Sequence, residues 1–369
     1  MDNRIRQFAN NIIRHSCDIQ PGENVFIDAL GFSASPLVQA LIKEIYAVGA
    51  NPYYEINESS IIREMILGCD ENQVHYHFSH MADKIKKMDA YIAIGALNNP
   101  YDLRDIPQVK MEVFFNAQRL VVNERQLKKY VVTRYPNLSL AQKMQMNTVD
   151  FEDFFFDVCT LDYKQLSDAM DPLVHLMKKT DKVKIIAKNT NIEFSIKDMN
   201  VIKCDGKVNL PDGEVFTAPL KDSVNGIVSF SGPTSYQGHS FTNIVLKFEN
   251  GRIVDASANN TEALNRILDI DDGARYLGEF AIGTNPFIER ICDDILFDEK
   301  ISGSIHLTPG SAYAIANNGN LSKIHWDMVL MMDPKYGGGE IYFDNVLIQK
   351  NGCFVLEELL PLNKEAFKL

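Results

Sequence analysis

Nowhere in this chain do about 18 apolar residues run together, so no membrane-spanning helix is expected. The N-terminal stretch MDNRIRQFANNIIRHS is charged and amphipathic, without the apolar core of a secretory leader. A basic excess is also missing: 37 Lys and Arg stand against 49 Asp and Glu, a formal net charge of −12. With no basic run interleaved with aromatics, nucleic acid and anionic membranes are poor partners. The six cysteines, Cys17, Cys69, Cys159, Cys204, Cys292 and Cys353, form no Cys-x-x-Cys pair. That usage predicts reduced thiols in a cytoplasmic protein rather than a disulfide frame or a cysteine zinc site. Cys292 precedes Asp293 and Asp294, whose charge disfavours the thiolate a nucleophile needs. Also absent are a GxSxG elbow, a GxxxxGK[ST] loop and a GxGxxG turn opening a helix after a strand. The glycines of KYGGGEIYF (335–343) lead into a strand-like segment, so they predict a turn rather than a phosphate loop.

An apolar fraction of 46% and a charged fraction of 23% are those of a folded protein, and 369 residues suffice for two domains. The first half alternates strand-like and helix-like stretches: ENVFIDAL (23–30), a helical 35–50, NPYYEIN (51–57), a helical region to about Lys87, DAYIAIGAL (89–97) and KKYVVTRYP (128–136). Strand, helix, strand at these lengths predicts parallel βα units. Residues 150–180 are again helical in pattern. From about residue 183 alternating segments broken by Asn-Gly and Asp-Gly pairs take over, which predicts antiparallel hairpins. One helix, NTEALNRILDI (260–270), interrupts them. The expected fold is an α/β N-terminal domain over 1–180 with a parallel sheet, then a strand-rich α+β domain over 181–369.

Candidate chemistry divides between the halves. HYHFSH supplies His75, His77 and His80, but on a helix only His77 and His80 share a face, so a solvated helical surface is the better reading. The second half offers Glu214 after the turn PDG, Glu279 between Leu277 and Phe280, and His306 in SGSIHLTPG. His325 and Asp327 lie two apart in KIHWDMVLMM. In an extended strand that spacing points both to one face and sends Ile324, Trp326 and Met328 to the other. A carboxylate among apolar neighbours, as at Glu279, is costly unless partnered. Two imidazoles and three carboxylates suit a pair of borderline divalent ions, Zn, Co or Mn, rather than Ca or Mg.

In order along the chain, PDGEVFTAPLKDSVNG, GRIVDASAN…ARYLGEFAIG, FDEKISGSIHLTPGSAY and KIHWDMV resemble the aminopeptidase T family of metallo-exopeptidases, which includes the bacterial aminopeptidases T and S. The resemblance covers the second half and extends loosely to an α/β first half. It implies two divalent ions held by Glu214, Glu279, His306, His325 and Asp327, with Glu279 as the bridging carboxylate. It further implies Glu299 as acid/base, with Asp298 the alternative, and Tyr313 as the active-site tyrosine. The family is homodimeric and acts on small peptides with a free N-terminus. Two other readings remain: a dinuclear hydrolase of a phosphoester or non-peptide amide, and a non-catalytic metal-binding relative. Of the basic residues in these motifs only Lys300 and Lys323 lie within two positions of a candidate site residue, where they could meet a phosphate, and the presence of Glu299 and Tyr313 argues against an idle relative.

Overall fold

The computed structural model describes residues 2–237 and 239–367. Its chain forms two compact units, the first running to Leu161 and including Gly206–Pro211, the second made of Asp162–Asp205 and the remainder from Asp212. Mixed α/β architecture is what the sequence predicts.

In the first unit five parallel strands lie in the order Asn51–Asn57, Asn24–Leu30, Ala90–Gly95, Lys129–Arg134, Asn209–Leu210. The central strands Asn24–Leu30 and Ala90–Gly95 are nearly continuous runs of buried residues, as a sheet covered on both faces requires. Helices Ser35–Ala47, Ser59–Gly68, Glu71–Ile85 and Gln108–Gln126 make the crossovers. The start of Glu71–Ile85 is set by Asp70, whose carboxylate accepts the Gln73 N–H. Phe78, Phe114 and Val121 from these helices close a core over Phe26 and Tyr91.

The second unit is antiparallel. An eight-stranded sheet runs in the order Arg252–Ser257, Val245–Glu249, Asn225–Ser229, Thr190–Ser195, Lys182–Ala187, Gly339–Phe343, Val346–Lys350, Cys353–Phe354. The Asn-Gly pairs do the work expected of them: Asn250 and Gly251 (φ 47° and 83°) and Asn351 and Gly352 (φ 52° and 81°) take the left-handed conformations of tight hairpins. A second sheet orders Met328–Met331, Ser304–Pro309, Leu277–Gly283, Glu214–Thr217 and Ile202–Cys204. Every residue of Leu277–Gly283, Ser304–Pro309 and Glu214–Thr217 is buried.

One boundary differs from the sequence expectation of 180/181. Helix Tyr163–Lys179 belongs to the second unit because its buried face (Leu166, Met170, Leu173, Met177) packs on strands Ile202–Cys204 and Glu214–Thr217 and on the 3-10 segment Glu357–Leu362. Gly206–Pro211 returns to the first unit, where Asn209 and Leu210 pair with Val132 and Thr133.

Candidate metal centre

The five-stranded antiparallel sheet gathers the candidate ligands on one face. Glu214 pairs in register with Gly283, His306 with Ala281, and Glu279 with Thr308. Side chains directly opposite share a face, and positions two apart on one strand share it too. Glu214, Glu279 and His306 therefore project together, with the small residues Gly283 and Ala281 leaving room between them.

Regular pairing of the next strand begins at Met328, so His325 and Asp327 lie just before it rather than inside it. They keep its register through an isolated bridge between His325 and Gly310. Gly310 has φ 111°, and a Cβ there would sit 2.2 Å from the Ile324 carbonyl oxygen, so only glycine permits this approach. The alternation expected of KIHWDMV holds. Ile324, Trp326 and Met328 are buried. Trp326 stacks on Tyr236 (centroids 4.7 Å apart, planes 11°) and donates its indole N–H to Thr234 Oγ1 at 3.1 Å. That anchor leaves His325 and Asp327 on the ligand face, where Thr308 Oγ1 donates to Asp327 Oδ1 at 2.5 Å.

Two triads result, and they share one residue. Ligand-type atoms of Glu214, Glu279 and His306 lie within 4.8 Å of one another, and so do those of Glu279, His325 and Asp327. His306 Nε2 is 2.9 Å from Glu279 Oε1 and 3.6 Å from Glu214 Oε2. His325 Nε2 is 3.4 Å from Asp327 Oδ1 and 3.8 Å from Glu279 Oε2. The other nitrogen of His325 lies 2.8 Å from the Ser311 carbonyl oxygen, which orients the ring as a backbone acceptor does for a metal-ligating imidazole.

Glu299 enters through a residue the sequence did not single out as part of the centre. Lys300, 1% exposed, places its Nζ 2.7 Å from both Glu214 Oε1 and Glu299 Oε1 and 3.6 Å from Asp212 Oδ1. Asp298 turns away and accepts the Cys292 N–H at 2.5 Å. Tyr313 is half exposed and sets its ring 4.6 Å from that of His325. A further grouping the sequence did not flag joins Cys204 and Asp212 to Glu214. No signal in the linear sequence marks Asp212 or Lys300, since their convergence depends on strand pairing. His75, His77 and His80 lie exposed on the first unit's Glu71–Ile85 helix, outside these groups.

The electrostatics show what the face lacks. Five carboxylates gather here with one ammonium among the described residues: Lys300 contacts Asp212, Glu214 and Glu299, while Glu279 and Asp327 lie beside His306 and His325. Burial opposes the charge of His306, but its hydrogen bond to Glu279 and the negative Glu214 and Asp327 prevail and hold the imidazole up at about 10. Burial raises Glu279 despite the His306 contact. Burial also lifts Glu299 to about 8 against the pull of Lys300. Lys300 is held well above its ordinary range: burial opposes its charge, and Glu214, Glu299 and Asp212 outweigh that. Glu214 Oε2 and Glu279 Oε2 are buried without a hydrogen-bond partner. Each such uncompensated carboxylate oxygen costs on the order of 1–3 kcal/mol or more. Imidazole and carboxylate donors, acidic excess and orphaned oxygens together fit bound divalent cations.

The comparisons agree with that chemistry. Residues 1–354 match the family described as thermophilic metalloprotease (M29). "Aminopeptidase 2" of Geobacillus stearothermophilus is 25% identical over 395 residues, covering 94% of each chain. Aminopeptidase T of Thermus aquaticus is 34% identical over 156 residues, 38% of this chain and 36% of that one. In three dimensions, wild-type AmpT from Thermus thermophilus superposes with a TM-score of 0.82 at 20% identity, covering 96% of this chain and 99% of that one. A 2,5-dihydroxypyridine dioxygenase from Pseudomonas putida KT2440 shares the fold with a TM-score of 0.62 at 14% identity, covering 97% and 99%. The fold alone thus hosts more than one chemistry, and the reaction must be read from the site. With the family matched along nearly the whole chain, this protein belongs to the thermophilic metalloprotease (M29) family and is a metal-dependent peptidase.

Proposed function

We propose that the protein is a metallo-aminopeptidase that removes N-terminal residues from small peptides. The observation that carries this reading is the pair of triads sharing Glu279. In the proposal Glu214, Glu279, His306, His325 and Asp327, the two triads that have Glu279 in common, would hold two divalent ions, Zn, Co or Mn. Such a pair supplies Lewis-acid polarisation of the scissile carbonyl and acidifies water at neutral pH. The chain's own groups then manage protons and position. Glu299 takes the proton of the attacking water and returns it to the leaving amine. Lys300, bonded to both Glu299 and Glu214, holds the acid/base carboxylate at a fixed distance from the ligand set. Tyr313, against His325 at the exposed rim, donates its hydroxyl to the tetrahedral oxyanion. The likeness to aminopeptidases 2 and T supports the exopeptidase assignment. The reading includes a homodimer in the cytoplasm. None of the described helices is long and apolar enough to cross a membrane.

A free α-amine is central to this assignment, because an exopeptidase site must read the chain end. Leu-p-nitroanilide is expected to be hydrolysed and its N-acetyl form to be turned over at least about 100-fold more slowly, the loss of one well-placed charged contact being worth roughly 3 kcal/mol. Comparable turnover of the two would replace the aminopeptidase reading with that of a general amidase or endopeptidase.

A further inference from the structure

A third group of ligand-type side chains stands beside the two triads, and a cation of the chain itself sits among them. Cys204 pairs in register with Glu214 across the strands Ile202–Cys204 and Glu214–Thr217, so the two side chains share a face. Ligand-type atoms of Cys204, Asp212 and Glu214 lie within 4.8 Å of one another. Lys300 Nζ is 2.7 Å from both Glu214 Oε1 and Glu299 Oε1 and 3.6 Å from Asp212 Oδ1. Cys204 is near enough to act on the same charge.

The surrounding backbone holds this position in place. Lys300 and Asp212 are both 1% exposed. Asn285, wholly buried, donates its backbone N–H to the Lys300 carbonyl oxygen at 3.0 Å and its side-chain N–H to the Asp212 carbonyl oxygen at 2.7 Å. Asp212 Oδ1 also accepts the Gly213 N–H at 3.0 Å, which orients the carboxylate. These bonds do not involve the ammonium, so the donors stay gathered whichever cation stands between them.

One sulfur and three carboxylates can complete the four-coordinate shell of a metal ion. A thiolate in that shell selects Zn or Co over Ca or Mg. A dication here would share Glu214 with the ion assigned to His306, and the two would repel strongly in so buried a setting. It would also draw Glu299 into its own shell. An ammonium neutralises part of the acidic charge with neither consequence. We infer that Lys300 is the chain's own cation in a third cation position, and that it limits the metal uptake of the centre by keeping a thiophilic divalent ion from Cys204, Asp212, Glu214 and Glu299. The inference rests on the proposed function only through the roles given to Glu214 and Glu299.

Cobalt titration of the unaltered protein and of Lys300→Ala tests it, with bound metal and the ultraviolet spectrum followed together. The five ligands assigned to the two triads offer nitrogen and oxygen, so a sulfur-to-cobalt charge-transfer band must come from a cysteine. Lys300→Ala is expected to bind about one more cobalt ion per chain than the unaltered protein and to show the band, as the Cys204 thiol gives its proton to the buffer and bonds the ion. The unaltered protein is expected to show none. Adding Cys204→Ser to Lys300→Ala should remove the band and weaken the extra ion at least about tenfold. Without metal, Lys300→Ala should melt below the unaltered protein, because Asp212, Glu214 and Glu299 lose their counter-charge, and cobalt should restore part of the difference. Lys300→Gln keeps N–H donors for the acids and should gain the same band where truncation to alanine prevents folding. Only differences between proteins are read and no turnover is needed, so the outcome is separate from whether the chain is a peptidase. No extra ion, a band of equal strength in the unaltered protein, a band that survives Cys204→Ser, or failure of both variants to fold in cobalt would each overturn the inference.

Discussion

Replacing Glu299 by glutamine is expected to lower kcat by about 10²–10⁴-fold, the range that general-base catalysis supplies, with bound metal unchanged. The amide keeps the shape of the side chain, and its carbonyl oxygen still accepts from Lys300, which stands 2.7 Å from Glu299 Oε1. Only the ability to take a proton is lost. Asp298→Asn provides the contrast. Asp298 is 5% exposed and is committed to the Cys292 N–H, a bond an asparagine oxygen can also accept, so kcat should stay close to that of the unaltered protein. Metal content and kcat measured on both variants decide the matter. A collapse at Asp298→Asn with normal turnover at Glu299→Gln would move the acid/base assignment by one residue.

Glu279→Ala should have the opposite signature: activity disappears because metal does. Its two carboxylate oxygens are divided between the triads, Oε1 beside His306 and Oε2 toward His325. Losing a residue behind a metal ligand costs about 10–100-fold in affinity, and losing a ligand shared by two positions should exceed that. The apo protein should tolerate the change better than its burial suggests. Glu279 is 3% exposed and has an unpartnered oxygen, so its removal relieves part of the acidic excess. Thermal melting with and without added Zn or Co separates the effects. The variant should show little of the metal-induced rise in Tm that the unaltered protein shows by linkage. A full rise in Tm would mean that Glu279 does not hold metal.

Much of this was legible before the structure, and the legible parts have a common cause. Strand periodicity is local, so the alternation that buries Trp326 on one face and sets His325 and Asp327 together on the other could be read from seven residues. The parallel strands of the first half and the Asn-Gly hairpins of the second follow from equally short-range rules. What escaped is non-local. Helix Tyr163–Lys179 follows the first half in sequence, yet its apolar face is completed only by later elements, the strands Ile202–Cys204 and Glu214–Thr217 and the 3-10 segment Glu357–Leu362. Lys300 sits beside Glu299 in sequence, but its partner Glu214 is brought to it by the pairing of Glu214–Thr217 with Leu277–Gly283. The residue types offered the candidate ligands, and the resemblance to aminopeptidases T and S implied the same set. The register of Gly283 with Glu214 and of Ala281 with His306 explains why they can meet.

The most direct test of the account is a metal titration of the stripped protein, with bound metal by elemental analysis and turnover of Leu-p-nitroanilide followed together. Two triads sharing Glu279 predict that full activity requires about two divalent ions per chain, since their five candidate ligands exceed the four of a single tetrahedral site. Full activity reached and held at one ion per chain would contradict it.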